Sequence, residues 1–288
     1  MVKDYAEHLG YSLVEEKENY FLLDSEPFQL IECVTSPELS FGTVSKDAGL
    51  LAGESIEKGV ASCLANEIDA LVTLPIQKES LYLAGWTYPG HTEMIAARCG
   101  SNNPLMIMEH QGLRVTLLTL HISVSEIPKY ITSYRIDTIV KGFDKTLKRD
   151  FAVTNPKIAL LSLNPHAGEN GNIGTEEIDI YLDAIEELRK ENITIEGPFA
   201  ADGFFAHGAY KNYDGVVASY HDQGLTPLKL LANGGGVNFT GGLSIVRTSP
   251  DHGTAMDIAG KGMANPQSLI DAFDLAIEIV NNRKSSLY

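Results

Sequence analysis

Three of the eight histidines share one setting in the sequence. His121 ends the apolar run LRVTLLTLH (113–121), His166 follows KIALLSLNP, and His221 ends GVVASYH (215–221). Each run reads as a buried strand, so each imidazole lies at or just beyond a strand's carboxyl end, the edge where open α/β sheets bind ligands. Three imidazoles arriving there from three strands could converge on one divalent metal and leave positions open for a substrate. Any one alone reads as a hydrogen-bonded histidine at a strand end; the repetition is what favours a metal. His8, His110 and His207 lack this setting and are expected at the surface.

The segment NPHAGENGNIGTEE around His166 places glycines ahead of a helix start, where free backbone N–H groups favour anions. It is not a GxGxxG fingerprint. The stretch 219–262 is denser, mixing Lys229, Asn238 and Arg247 with many glycines inside an otherwise acidic chain. Lysine and arginine there could hold a phosphate or carboxylate, or could be ordinary cations of a glycine-rich loop.

Positioning these residues requires strands in alternation with helices. IDALVTLPI (68–76) and KIALLSLN (157–164) add to the strand-like runs, and SKDAGLLAGESIEKGVASCLANE (45–67) and TEEIDIYLDAIEELRKEN (175–192) are amphipathic. In the latter, Thr175 suits the cap and Glu176 and Glu177 the positive first turn. Asn265 and Pro266 open a final helix through LIDAFDLAIEIV. The alternation predicts an α/β fold with a mainly parallel sheet. The chain has 288 residues, enough for about two domains at ~150 residues each.

Composition narrows the partners. A net charge of −16 repels phosphate backbones and anionic lipid, which disfavours nucleic-acid or membrane-surface binding, although local cations can reverse the sign inside a cleft. Cys33, Cys63 and Cys99 are odd in number and form no CxxC pair, so neither a disulfide framework nor a cysteine-rich zinc site is expected. No apolar run reaches the ~20 residues of a membrane span and the start lacks a signal pattern, so the reading is cytoplasmic.

The blocks YPGHTE (88–93), LNPHAGENG (163–171), TEEID (175–179), YHDQG (220–224), GVNFTGGL (236–243) and RTSPDHGTAMDIAGKG (247–262) resemble the 4-hydroxythreonine-4-phosphate dehydrogenase family of vitamin B6 synthesis. That resemblance implies two α/β domains around a cleft, as in isocitrate and isopropylmalate dehydrogenases, and a homodimer with the active site at the subunit interface. The domains are expected at 1–88 with 239–288 on the nucleotide side, and 89–238 on the metal, substrate and dimer side. The resemblance also makes His121, His166 and His221 metal ligands for zinc, or for magnesium, manganese or cobalt. It makes His91, Thr92, Lys229, Asn238 and Arg247 substrate contacts, and His252, Gly253 and Thr254 contacts of the cofactor NAD. Lys229 and Asp202 are candidate catalytic residues, Lys229 for phosphate binding or proton relay and Asp202 as a proton carrier or a loop cap.

The implied reaction oxidises the hydroxyl carbon of 4-phosphohydroxy-L-threonine, passes hydride to NAD, and loses carbon dioxide from the resulting 3-oxo acid. A related substrate, 4-phospho-D-threonate or 4-phospho-D-erythronate, and a catalytically silent binding protein are the competing readings. A three-histidine zinc hydrolase leaves the DHGTAMDIAGKG block unexplained. Family members open with a strand and a GDPxGIGPE-type loop and helix. This sequence has no such segment, and DYAEHLGY (4–11) reads as a later helix. Its loss would take a strand–helix unit and one cleft wall from the first domain.

Overall fold

A computed structural model describes residues 10–23, 25–34 and 37–285; His8 and residues 4–9 of the expected first helix lie outside them. Contacts divide the chain into two compact units. The smaller comprises Met1–Lys58, Ile76–Thr87 and Thr254–Ala264. It holds an antiparallel meander of β1 (Leu13–Lys17), β2 (Tyr20–Leu23) and β3 (Glu26–Gln29). Asn19, with φ of 64°, makes the left-handed turn between β1 and β2. Helix α1 (Lys46–Leu64) begins here and α2 (Lys78–Leu83) packs against it. Gly49 permits that contact, since a Cβ there would stand 1.8 Å from the Ser80 carbonyl oxygen, and Gly53 admits Trp86 just beyond α2, where a Cβ would stand 2.1 Å from Trp86 Nε1.

The larger unit, Gly59–Pro75, Tyr88–Gly253 and Asn265–Tyr288, carries every candidate site residue except Thr254. Its strands are β4 (Ala70–Val72), β5 (Leu105–His110), β6 (Leu113–Leu117), β7 (Lys157–Leu161), β8 (Thr194–Phe199), β9 (Gly215–Ala218), β10 (Val237–Gly241) and β11 (Val246–Pro250). They form one sheet in the order β4-β11-β10-β5-β6-β9-β7-β8. Pairing is parallel from β6 through β9 and β7 to β8 and between β4 and β11, and antiparallel among β11, β10, β5 and β6. The α/β class holds, but the sheet is mixed rather than mainly parallel. The domain boundary expected after residue 238 falls inside β10, because this sheet binds β4, β10 and β11 to the strands of the middle of the chain.

The helices are α3 (His91–Arg98), α4 (Ile127–Tyr130), α5 (Ser133–Arg149), α6 (Leu182–Lys190), α7 (Ala201–Ala206), α8 (His221–Ala232) and α9 (Gln267–Ser285). Strand β7 shows how the layers form. Ile158 and Leu160 join a core with Phe143 of α5, Leu188 of α6 and Ile279 of α9. Ala159 and Leu161 join a second core with Phe204 of α7 and Leu225 and Leu228 of α8. Successive side chains point to opposite faces, so a strand covered on both sides must be apolar throughout. Asn265 caps the last helix as expected, its Oδ1 accepting the Gln267 N–H at 3.0 Å.

Candidate active site

Strands β6, β9 and β7 end side by side, and a polar network locks their ends. The Ser219 carbonyl accepts from Thr119 N–H (3.2 Å) and Thr119 Oγ1 (2.8 Å), tying the strand before His121 to the strand before His221. The Ser219 hydroxyl donates to the Leu161 carbonyl at 3.1 Å, joining β9 to β7. Gln223 accepts from Ser219 N–H and donates to the Ser162 carbonyl, both at 2.7 Å. His121 and His221 come together, their ring centres 5.8 Å apart. Two imidazoles sharing one ion at ~2.0–2.1 Å from each nitrogen have ring centres roughly 5–6 Å apart. His221 Nδ1 donates to Asp222 Oδ1 at 2.7 Å, which leaves Nε2 to face a ligand.

Gly224 explains why α8 begins at this edge. A Cβ there would stand 2.8 Å from Val115 Cγ1 and 3.0 Å from Ala218 Cβ, so the helix lies directly on β6 and β9.

His166 lies in an unusual turn after β7. His166, Ala167, Gly168, Glu169 and Asn170 all take left-handed φ, between 44° and 75°. Each non-glycine in that region costs roughly 1–2 kcal/mol, so the turn needs external anchors. Glu177 supplies them: its carboxylate accepts from the Asn164 N–H (2.8 Å) and Asn164 Nδ2 (2.9 Å), and Glu176 takes a second Nδ2 bond at 2.7 Å. A helix capped by Thr175 would put both glutamates in its positive first turn. Instead Glu177 is 3% exposed, and Thr175 offers its backbone carbonyl to Ile178 and Asp179 N–H. A cavity of about 270 Å³ beside this turn is lined by His166, Asp202, Asn164, Tyr220 and Gln223 among others, which brings the exposed Asp202 of α7 to the same edge.

The antiparallel half of the sheet works differently. Alternation puts Asn238, Thr240, Arg247 and Ser249 on one face, with Asn238 paired to Ser249 across β10 and β11. Arg247 is 2% exposed. It donates to Thr73 Oγ1 from Nε (3.1 Å) and Nη2 (2.7 Å) and to Thr240 Oγ1 from Nη1 (3.0 Å). No carboxylate lies within ion-pair distance among the described residues, and Glu93, two residues past His91, attracts the guanidinium only through space. Burial pushes Arg247 down to about 10, still charged at neutral pH. The buried Asn238 Oδ1 has no hydrogen-bond donor among the described residues. His91 and Thr92 open α3 behind Gly90.

Lys229 of α8 pairs with Asp251 at 3.1 Å. Burial pushes the Asp251 carboxyl up, while Lys229, His221 and His252 pull it down. Asp251 thus links the Lys229 and His221 sides of α8 to the loop after β11. In that loop His252 Nδ1 donates to the Gly253 carbonyl at 2.9 Å, Gly253 has open space where a Cβ would stand, and Thr254 belongs to the smaller unit.

The structure therefore brings His121 and His221 together and sets His166 beside Asp202. Among the described residues of one chain no three histidine, cysteine, aspartate or glutamate side chains converge as a metal-ligand group. Sequence reasoning missed Thr73, Thr119, Tyr181, Ser219, Gln223, Thr240 and Asp251. Thr73 carried a signal, being the lone hydroxyl in the apolar run IDALVTLPI. Of the histidines expected at the surface, His207 is exposed and His110 half-buried.

The chain matches the family described as pyridoxal phosphate biosynthetic protein PdxA over residues 6–276. It is 46% identical over 250 residues to 4-hydroxythreonine-4-phosphate dehydrogenase of Prosthecochloris aestuarii, covering 86% of this chain and 74% of that protein. The Bacteroides thetaiotaomicron protein of the same name is 44% identical, covering 86% and 68%. The crystal structure of the Klebsiella pneumoniae 4-hydroxythreonine-4-phosphate dehydrogenase superposes with a TM-score of 0.77 at 41% identity, covering 84% of this chain and 73% of that one. With the family matched over nearly the whole chain and the fold shared with its crystal structures, this chain belongs to the PdxA family of pyridoxal phosphate biosynthetic proteins.

Proposed function

We propose that the chain is an NAD-linked, metal-dependent dehydrogenase that oxidises and decarboxylates 4-phosphohydroxy-L-threonine in pyridoxal 5′-phosphate synthesis. The observation that carries this reading is Arg247, a buried cation held by two threonine hydroxyls without a carboxylate partner. In a chain of net charge −16, such a group awaits an anion from outside. Asn238, with a buried acceptor lacking a donor, offers a site for a substrate hydroxyl or ammonium. His91 and Thr92 are the further substrate contacts. Lys229, its ammonium fixed by Asp251, binds phosphate or relays a proton, and Asp202 beside His166 carries one.

His121 and His221 fit a metal by ring spacing and by the Asp222 bond, and an all-imidazole donor set suits zinc, with magnesium, manganese or cobalt as alternatives. When bound, the metal would acidify the substrate hydroxyl and polarise the carbonyl formed from it. His166 would complete the set of three, with at least one of the three histidines supplied by a second copy of the chain. Val124 and Tyr134, in the segment after His121, are 76% and 79% exposed and offer apolar surface for such a homodimer. His252, Gly253 and Thr254 would hold the nicotinamide cofactor. We place the protein in the cytoplasm, a reading supported by its three free cysteines; no helix among the described residues is long and apolar enough to cross a membrane.

The test is NAD reduction with 4-phosphohydroxy-L-threonine, 4-phospho-D-threonate and 4-phospho-D-erythronate, each with added zinc, magnesium or manganese. Turnover of the first alone supports the proposal. Turnover of another reassigns the substrate, and tight binding without turnover makes the chain a silent family member.

A further inference from the structure

The candidate ligand loops are anchored by a feature that the proposed chemistry does not use. Between the His166 loop and α6, residues Glu177–Tyr181 form a single π turn. Such turns insert one residue into a helix and redirect side chains, and they recur at functional sites. Here the turn carries buried polar side chains at both ends: Glu177 is 3% exposed and Tyr181 0%. Glu177 holds Asn164, two residues before His166, through the Asn164 backbone N–H and side-chain amide. Tyr181 donates to the Ser219 hydroxyl at 2.8 Å, two residues before His221, and Ser219 passes its own proton to the Leu161 carbonyl. One end of the turn thus grips the His166 loop and the other the strand end that leads into His221.

We infer that the π turn Glu177–Tyr181 is a clamp that sets the spacing between the His166 and His221 loops, with Glu177 and Tyr181 as positioning residues. The inference rests on the three-histidine reading of the site. The left-handed run His166–Asn170 is closed at its far end by Asn172 N–H to the Glu169 carbonyl and Ile173 N–H to the Gly168 carbonyl, while at its near end Glu177 holds Asn164. The space is also tight, because a Cβ on Gly168 would stand 2.6 Å from Glu177 Oε2. Glu177 accepts two N–H groups on two different oxygens, a pattern that glutamine, with one acceptor oxygen and an NH2 in place of the other, cannot reproduce.

The experiment compares wild type, Glu177→Gln and Tyr181→Phe in the 288-residue chain by zinc titration and by amide hydrogen exchange. Glu177→Gln should speed exchange over residues 164–173 and Tyr181→Phe over 217–222, with exchange in α5 unchanged. Zinc affinity should fall roughly 10–100-fold in each, as for lost outer-shell support of metal ligands. Unchanged exchange in those segments overturns the clamp, as does wild-type zinc affinity in both variants. If Glu177→Gln accelerates exchange throughout the chain, the milder Tyr181→Phe decides. A wild type that binds no zinc overturns the three-histidine reading instead, and local exchange still judges the clamp.

Discussion

Replacing Arg247 with methionine should separate what this residue does for the fold from what it does for a ligand. Burial depresses its guanidinium well below the usual arginine range, to about 10, which corresponds to about 3 kcal/mol of unfavourable free energy for carrying the charge. Methionine keeps much of the side-chain volume and removes that charge. Against the gain, the hydroxyls of Thr73 and Thr240 lose their donors, at about 1 kcal/mol each. The two effects nearly cancel, so the variant's unfolding free energy should lie within about 1 kcal/mol of wild type, measured by urea denaturation without ligand. Binding should behave otherwise. A charge-assisted hydrogen bond contributes roughly 1.5–3 kcal/mol, so affinity for the phosphorylated substrate should fall about 10- to 150-fold by calorimetry. The dephosphorylated analogue should bind the variant and wild type alike. A variant destabilised by about 3 kcal/mol or more that loses affinity equally for both compounds would show that Arg247 serves the fold and not the phosphate.

Asp251→Asn should lower kcat more than it changes KM, because Lys229 keeps its charge but loses the carboxylate that fixes it. Since the folded state raises the Asp251 carboxyl, wild type should lose stability relative to this variant as pH rises through the carboxylate range, read from melting temperatures at stepped pH. Gly224→Ala should push α8 off β6 and β9, costing roughly 1–3 kcal/mol in urea denaturation and, by displacing His221 and Lys229, at least tenfold in kcat/KM. Asp150→Ala should cost about 3–5 kcal/mol by calorimetry, because Asp150 is fully buried and accepts from Arg149 at 2.8 Å and Arg283 at 2.7 Å, so its removal leaves the largely buried Arg283 without its carboxylate.

The two halves of the sheet were not equally legible. In the parallel half, the candidate site residues lie past the carboxyl ends of apolar strands, and LRVTLLTLH, KIALLSLN and GVVASYH announce themselves by composition alone. Their alternating faces enter two cores, so apolarity is continuous and the ends are sharp. The antiparallel half places Asn238 and Arg247 within strands, where only alternation on a paired neighbour shows which face they share. Nothing in a single strand tells that Thr73 and Thr240 will meet the same guanidinium. The β1–β3 meander was missed for a related reason: its strands are short and half-exposed and one contains Pro27, so no apolar period marks them.

The glutamates of TEEID show where local rules give way to tertiary demand. Two acids at a helix start normally serve the dipole from solvent, and Glu176 and Glu177 follow Thr175 in the order that suggests it. A solvated role predicts that either can be neutralised at little cost. Glu177 departs from the rule because the preceding turn runs left-handed through four non-glycine residues, whose strain must be offset by bonds from outside the turn. Asn164 cannot supply those bonds alone, since its own N–H and amide need acceptors. Strain in one loop therefore fixes a buried carboxylate in the next element, and the helix accommodates it by opening its first turn to π geometry. Neutralising Glu177, which holds both the Asn164 N–H and its amide, should loosen the His166 loop more than neutralising Glu176, which takes one Asn164 Nδ2 bond, a contrast that only the folded register produces.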